Sequence, residues 1–242
     1  MLLNCPLGEE RVERLISILA LTPDSKVVDI GCGEGELLLR LAKATGAKCL
    51  GLDISEACIS TAMLKAEQQG LSDLVRFEVA DGSKLQLTAE YDVAICMGSV
   101  HAFATGEAAY PAALSTMQQW LTPRGQLLIG EAYWKQSPDQ AYLDFMGEPV
   151  GIYQSHQGNI EVAESHGLIV AYAATSHQDE WDHFEGSFRL NAERAAQANP
   201  EDEAALQKRD AVREWNTYYH RYGRDTMGFG FYLMLKVENG DR

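Results

Sequence analysis

The run Val27-Val28-Asp29-Ile30-Gly31-Cys32-Gly33-Glu34-Gly35 sets an acid inside an apolar stretch and then places glycine at three alternate positions. Glycine admits backbone angles closed to other residues, and it lets the main chain approach a ligand with no Cβ between them. The run therefore reads as a buried strand, a tight turn and a cofactor cradle, continued by a helix from Glu36 to Ala42. Two further acids end apolar runs downstream. Asp53 follows the turn by about 20 residues, the spacing at which a carboxylate can accept hydrogen bonds from the hydroxyls of an adenosine ribose. Asp81, with Gly82 behind it, could meet the adenine edge.

Short apolar runs at 26–30, 48–53, 75–79, 91–96 and 126–131 alternate with helical patterns at 9–21, 35–45, 55–69 and 108–120. That alternation predicts an α/β fold with a parallel sheet covered by helices on both faces, and its ligands belong at the carboxyl ends of the strands. Ser55 is placed to cap the third helix. After Glu131 the pattern loosens into a loop, a short helix at 139–146 and a glycine-rich stretch, then resumes with a helix at 159–166 and a strand at 168–176. Residues 179–225 read as an insertion of two amphipathic helices broken at Asn199-Pro200, before a long apolar strand from Met227 to Val237. Trp181, Phe184 and Phe188 share one helical face, and Trp215, Tyr218, Tyr219 and Tyr222 another. They suit either a cap over the site or the core of an added helical layer.

The whole of residues 1–242 is expected to form one domain, since 242 residues leave little room for a second full core. A net charge of −15 without a dense Lys/Arg run argues against nucleic acid as a partner. No apolar run approaches the ~20 residues of a membrane span, so no membrane insertion is expected. The start Met1-Leu2-Leu3-Asn4-Cys5-Pro6 lacks the basic and apolar regions of a secretory leader, which makes the cytoplasm the expected location. Five scattered cysteines form neither a disulfide framework nor a zinc set, and no metal site is expected. The oligomeric state is left open.

Val27 to Gly35, Gly51-Leu52-Asp53-Ile54-Ser55, Ala80-Asp81-Gly82 and Tyr91-Asp92-Val93-Ala94-Ile95-Cys96 resemble successive motifs of the class I S-adenosylmethionine-dependent methyltransferases. Leu121-Thr122-Pro123-Arg124-Gly125-Gln126-Leu127 resembles that family's passage into its fifth strand, with Arg124 in place of a glycine. The resemblance implies a Rossmann-like seven-stranded mixed sheet in the order 3-2-1-4-5-7-6, with the last strand antiparallel. It implies S-adenosyl-L-methionine as cofactor and methyl transfer to a small-molecule acceptor by in-line displacement. Under it, Gly31, Cys32 and Gly33 pass beneath the methionine part, and Asp29 steadies the turn or the cofactor's ammonium. Asp53 holds the ribose, Ile54 presses on the adenine, Asp81 with Gly82 meets its amino edge, and the backbone around Cys96 and Met97 lines the methionine tail.

Two other readings are weighed. One is a dinucleotide oxidoreductase, whose third glycine would fall at position 36. Here position 36 is Glu, and Glu34 with Glu36 would repel a pyrophosphate while tolerating a sulfonium. The other is a non-catalytic cofactor-binding sensor or partner subunit. A hydroxyl or carbon acceptor needs a base with a tuned pKa, whereas an amine or thiolate can do without one. His101, Glu131 and His156, on the loops expected above the transferred group, are the candidates for base or acceptor anchor.

Overall fold

The computed structural model describes residues 4–237. The reading of Met1 to Leu3 as no secretory leader lies outside the described residues, as do the two ends of the 1–242 domain. Seven strands form one sheet: β1 (Lys26–Ile30), β2 (Lys48–Asp53), β3 (Val75–Val79), β4 (Tyr91–Met97), β5 (Leu121–Trp134), β6 (Leu168–Thr175) and β7 (Met227–Lys236). Their order is β3-β2-β1-β4-β5-β7-β6, with β7 antiparallel to both neighbours, as the resemblance implied.

The central strand β1 is buried on both faces, which is why it reads as a continuous apolar run. Val27 joins a core beneath α1 (Glu9–Ile18), α2 (Glu36–Thr45) and α3 (Glu56–Gln68). Val28 and Ile30 join the opposite core, beneath α4 (Ala109–Trp120) and α6 (His156–Ser165). Ser55 caps α3 by accepting the Cys58 amide at 3.3 Å. Between α4 and α6 lies the short α5 (Gln140–Met146).

Three boundaries differ from the sequence reading. The first helix stops at Ile18 rather than 21, because Ala20 turns into the left-handed region at φ 50°. The helix expected at 159–166 begins at His156, where Ser155 accepts the Gly158 amide at 2.9 Å. Strand β5 outruns 126–131, because β7 keeps pairing with it as far as Trp134 opposite Met227. Glu131, Tyr133 and Trp134, expected on a loop, therefore stand in a strand that continues beyond the last β4 partner, Met97 opposite Gly130.

Between β6 and β7 run α7 (Gln178–Ala198) and α8 (Glu203–Tyr218), parted at Asn199-Pro200 and followed by a π turn at Tyr219–Gly223. Their aromatic rings pack on one another and on α5: Phe145 stacks on Tyr218 at 3.8 Å and Trp181 on Tyr219 at 6.2 Å. Glu180 binds this insertion to the start of the chain. It accepts the amides of Gly8 at 2.8 Å and His177 at 2.7 Å, and pairs with Arg11 at 3.1 Å. Among the described residues no helix is long and apolar enough to cross a membrane.

Candidate active site

Beyond the carboxyl end of β1 the chain turns so that the amides of Gly31 and Cys32 both donate to the Leu52 carbonyl, at 2.8 and 3.1 Å. This fixes the turn to the end of β2. Gly31 sits at φ 73°, and a Cβ there would fall 2.3 Å from Ser99 Oγ, so only glycine fits. One residue on from Cys32, the Gly33 amide donates to Asp53 Oδ2 at 2.9 Å, while Asp53 Oδ1 accepts the Ser55 amide at 2.8 Å. Two backbone donors thus lock the Asp53 carboxylate, and each of its oxygens retains a lone pair for a ligand hydroxyl.

A cavity of about 370 Å³ opens here, lined by Gly31, Asp53, Ile54, Asp81, Gly82 and His101 among others. Ile54 is 73% exposed, an apolar side chain held out at the rim. Asp81 is oriented by its own turn: it accepts from Ser83 Oγ at 2.7 Å and pairs with Lys84 at 2.7 Å. The Lys84 ammonium, with the Ser83 donors, holds its carboxyl at about 2. Gly82 allows close approach, since a Cβ there would meet the Ala102 carbonyl at 2.9 Å.

Asp29, in β1, and Cys32 and Gly33, in the turn itself, are not among the residues of the cavity wall. Asp29 is 3% exposed, and its Oδ1 has no hydrogen-bond partner among the described residues. Burial, and then the nearby Asp53 charge, push its carboxyl well above the usual range. An orphaned buried acid beside a glycine cradle suits a cationic group, so the free Asp29 oxygen fits as an acceptor for a ligand bearing an ammonium. The expectation for Cys96 and Met97 needs correction. Cys96 is fully buried in the α4-side core, Met97 ends the strand packed toward Gly130, and neither lines a cavity. Gly98, at φ 71°, turns the chain; beyond it Ser99 lines this cavity, while Gly98 and Val100 line a second one.

A second cavity, of about 520 Å³, shares His101 and Thr105 with the first. Glu131 lines it, 7% exposed, and burial pushes its carboxyl up to about 8 against the hydrogen bond of the Ala132 amide. Around it stand the rings of Tyr110, Tyr153, Trp181, Phe184, Trp215 and Phe229. The structure therefore brings His101 and Glu131 to one chamber and leaves His156 out of it. His156 lies behind the wall, 2.9 Å from the Tyr232 hydroxyl, which also accepts from Asn159 Nδ2 at 3.2 Å. The reason is the earlier start of α6, which puts His156 on its first turn against β7.

Glu185 was not singled out in the sequence, yet it lines the chamber at 4% exposure. Burial pushes it up to about 7, partly offset by the Trp215 indole donating at 3.0 Å. A signal was present: Glu185 falls in the stripe Trp181, Glu185, Ala192, Ala196 that α7 buries, an acid where an apolar residue is due. The strap Asn4-Cys5-Pro6 also lines the chamber, held there by Ser176 Oγ donating to the Pro6 carbonyl. No local pattern could have located it. The acids beside the turn also take a different part than expected. Glu34 pairs with Lys65 at 2.6 Å and Glu36 with Arg40 at 2.8 Å, so their repulsion of a phosphate is largely neutralised.

The comparisons with known proteins point one way. Residues 27–125 match the family model described as a methyltransferase domain. The uncharacterized protein YjhP of Escherichia coli K12 is 28% identical over 235 residues, which cover 95% of this chain and 92% of that protein. Its X-ray structure superposes with a TM-score of 0.87 over 97% of this chain and 95% of that one. A SAM-dependent methyltransferase from Thiobacillus denitrificans, crystallised with S-adenosyl-L-homocysteine, gives a TM-score of 0.87 at 25% identity over 97% of this chain and 94% of its own. The 27-O-demethylrifamycin SV methyltransferase of Amycolatopsis mediterranei is 36% identical over 90 residues, but these span only 37% of this chain and 33% of that enzyme. Glycine turn, strand order and whole-chain likeness agree: residues 27–125 match a methyltransferase domain, and the whole chain has the Rossmann-like fold of solved S-adenosylmethionine-dependent methyltransferases.

Proposed function

We propose that this protein moves a methyl group from S-adenosylmethionine to a small-molecule acceptor by in-line displacement, across the junction of its two cavities. The observation that carries this reading is the shared wall: His101 and Thr105 line both the cavity at the glycine turn and the chamber holding Glu131. Gly31, Asp53, Ile54, Asp81 and Gly82 would hold the adenosine, and Asp29, beneath Gly31, Cys32 and Gly33, the ammonium of the methionine part. The bound sulfonium supplies a methyl group already attached to a good leaving group, so the protein's task is chiefly positioning.

Glu131 is the base in this reading, a buried carboxyl that accepts a proton near neutral pH. His101, at the junction, anchors the acceptor beside the transferred group. Residues 179–225 act as a cap, since Trp181, Phe184, Glu185 and Trp215 close the chamber. An acceptor chamber of this size suits a small molecule, as does the partial likeness to an enzyme named for a rifamycin. Five free thiols, three of them buried, suit a reducing compartment, and a cytoplasmic location is part of this reading.

The test is incubation with S-adenosylmethionine labelled in its methyl group and a mixed small-molecule library, read by mass spectrometry. Label should appear in a small acceptor, and far less of it with Glu131→Gln. Tight cofactor binding with no transfer to any acceptor would favour the sensor reading.

A further inference from the structure

Resting on the methyl-transfer reading above, we propose that the acceptor is an organic amine, bound in the chamber as its ammonium with Glu131 and Glu185 as counter-charges. Four carboxylates line this chamber, Glu107, Glu131, Glu148 and Glu185, and no Lys or Arg does so among the described residues. The contrast with other acids of this chain is informative. Glu180 pairs with Arg11, Asp182 with Arg224, and Glu193 with Arg213, at 3.1, 2.8 and 2.7 Å. Glu131 and Glu185 are the more deeply buried, at 7% and 4% exposure, yet the former has the Ala132 amide as its partner and the latter the Trp215 indole. A carboxylate taken from water needs a cation or a full set of donors. These two lack both until a cationic ligand enters.

The walls favour the same ligand. Tyr110, Tyr153, Trp181, Phe184, Trp215 and Phe229 present aromatic rings, whose π faces attract an ammonium and tolerate its alkyl substituents. A phosphate or carboxylate acceptor would meet four acidic side chains and no cation, and a neutral alcohol would give the acids no counter-charge. The net charge of −15 draws cations toward the protein as a whole.

The chemistry balances. The bound ammonium gives one proton to the Glu131 carboxylate, which exposes the nitrogen lone pair. That pair forms the N–C bond while the S–C bond breaks and leaves its electrons on sulfur. The positive charge moves from sulfur to nitrogen, and the methylated ammonium leaves from beside Glu185. Cys96, Tyr110, Tyr153 and Tyr232 face Glu131 from the surrounding elements and His101 lines the same chamber, where no Lys or Arg competes for its charge among the described residues.

The experiment titrates the full chain, saturated with S-adenosylhomocysteine, with three probes of one shape: 2-phenylethylamine, 2-phenylethanol and 3-phenylpropionate. Tryptophan fluorescence reads the binding, since Trp181 and Trp215 line the chamber. The amine should bind at least about tenfold more tightly than the alcohol, a difference of ~1.4 kcal/mol, with the carboxylate weakest. Glu131→Gln and Glu185→Gln should each erode that preference; retained S-adenosylhomocysteine affinity shows that the variants are folded. Equal binding of amine and alcohol, a preference for the carboxylate, no binding of any probe, or a preference untouched by both substitutions overturns the inference. Failure of S-adenosylhomocysteine itself to bind would instead overturn the methyl-transfer reading beneath it.

Discussion

The two cavities that meet at His101 hold carboxylates in opposite ways. In the proposed cofactor cavity Asp53 and Asp81 are fixed by neighbouring amides and by Lys84, so their acceptor oxygens are oriented before any ligand arrives. In the acceptor chamber Glu131 and Glu185 are buried with one donor each and no cation. The first arrangement gives a rigid cradle, ready to accept hydrogen bonds. The second gives acids whose protonation a ligand can change, which is what a proton-accepting site requires.

Breaking the acceptor side should have the largest effect. Glu131→Gln keeps the shape and removes the proposed base, so kcat should fall by about 10²–10⁴-fold with cofactor affinity preserved, as measured by steady-state turnover and calorimetry. Loss of cofactor affinity instead would merge the two halves and undo the comparison. Next in size is Asp53→Ala. It frees the Gly33 and Ser55 amides and removes the proposed ribose contact, and should weaken S-adenosylmethionine binding about 100-fold, or ~2–3 kcal/mol.

A pH series sharpens the contrast further. Burial raises Glu131 to about 8 and Glu185 to about 7, above the ordinary 4.5 that each regains on unfolding. Both states hold the proton at low pH. As pH rises past 4.5 the unfolded chain ionises first, so the stability contributed is lost progressively until the folded groups also ionise near 7 and 8. Asp29, raised as well, adds the same sign. Urea midpoints should fall between pH 5 and 8.5, and Glu131→Gln should flatten that fall by on the order of 2 kcal/mol. An unchanged slope would show that Glu131 is solvated. The smallest effect belongs to Tyr232→Phe, which removes the hydroxyl shared by His156 and Asn159 behind the wall. It should cost about 1 kcal/mol of stability and leave cofactor affinity alone.

The same division explains what the sequence disclosed. The cavity at the glycine turn is assembled from strand ends within residues 30–105, so glycine spacing and terminal acids point to part of its wall, Gly31, Asp53, Ile54, Asp81 and Gly82. The misplacement of its wall at Cys96 and Met97 arose because the turn at Gly98 moves the exposed backbone past the end of β4. The acceptor chamber draws on residues from Asn4 to Phe229. Glu131 enters it through the long antiparallel pairing of β5 with β7, Asn4 to Pro6 through the Ser176 contact, and Glu185 through the packing of α7. Each of those is a long-range contact with no local signature, apart from the misplaced acid in the α7 stripe. His156 shows the reverse error: its residue type suggested chemistry, while the helix start that carries it turns it away from the chamber.

The central claim, one cavity for the donor and another for the acceptor, is tested most directly by calorimetric titration of the unaltered protein, Asp53→Ala and Glu131→Gln with S-adenosylmethionine and with NAD. The account predicts that the unaltered protein and Glu131→Gln bind S-adenosylmethionine alike, that Asp53→Ala binds it far more weakly, and that NAD does not compete. Preferential binding of NAD, or an equal loss of S-adenosylmethionine affinity in both variants, would contradict it.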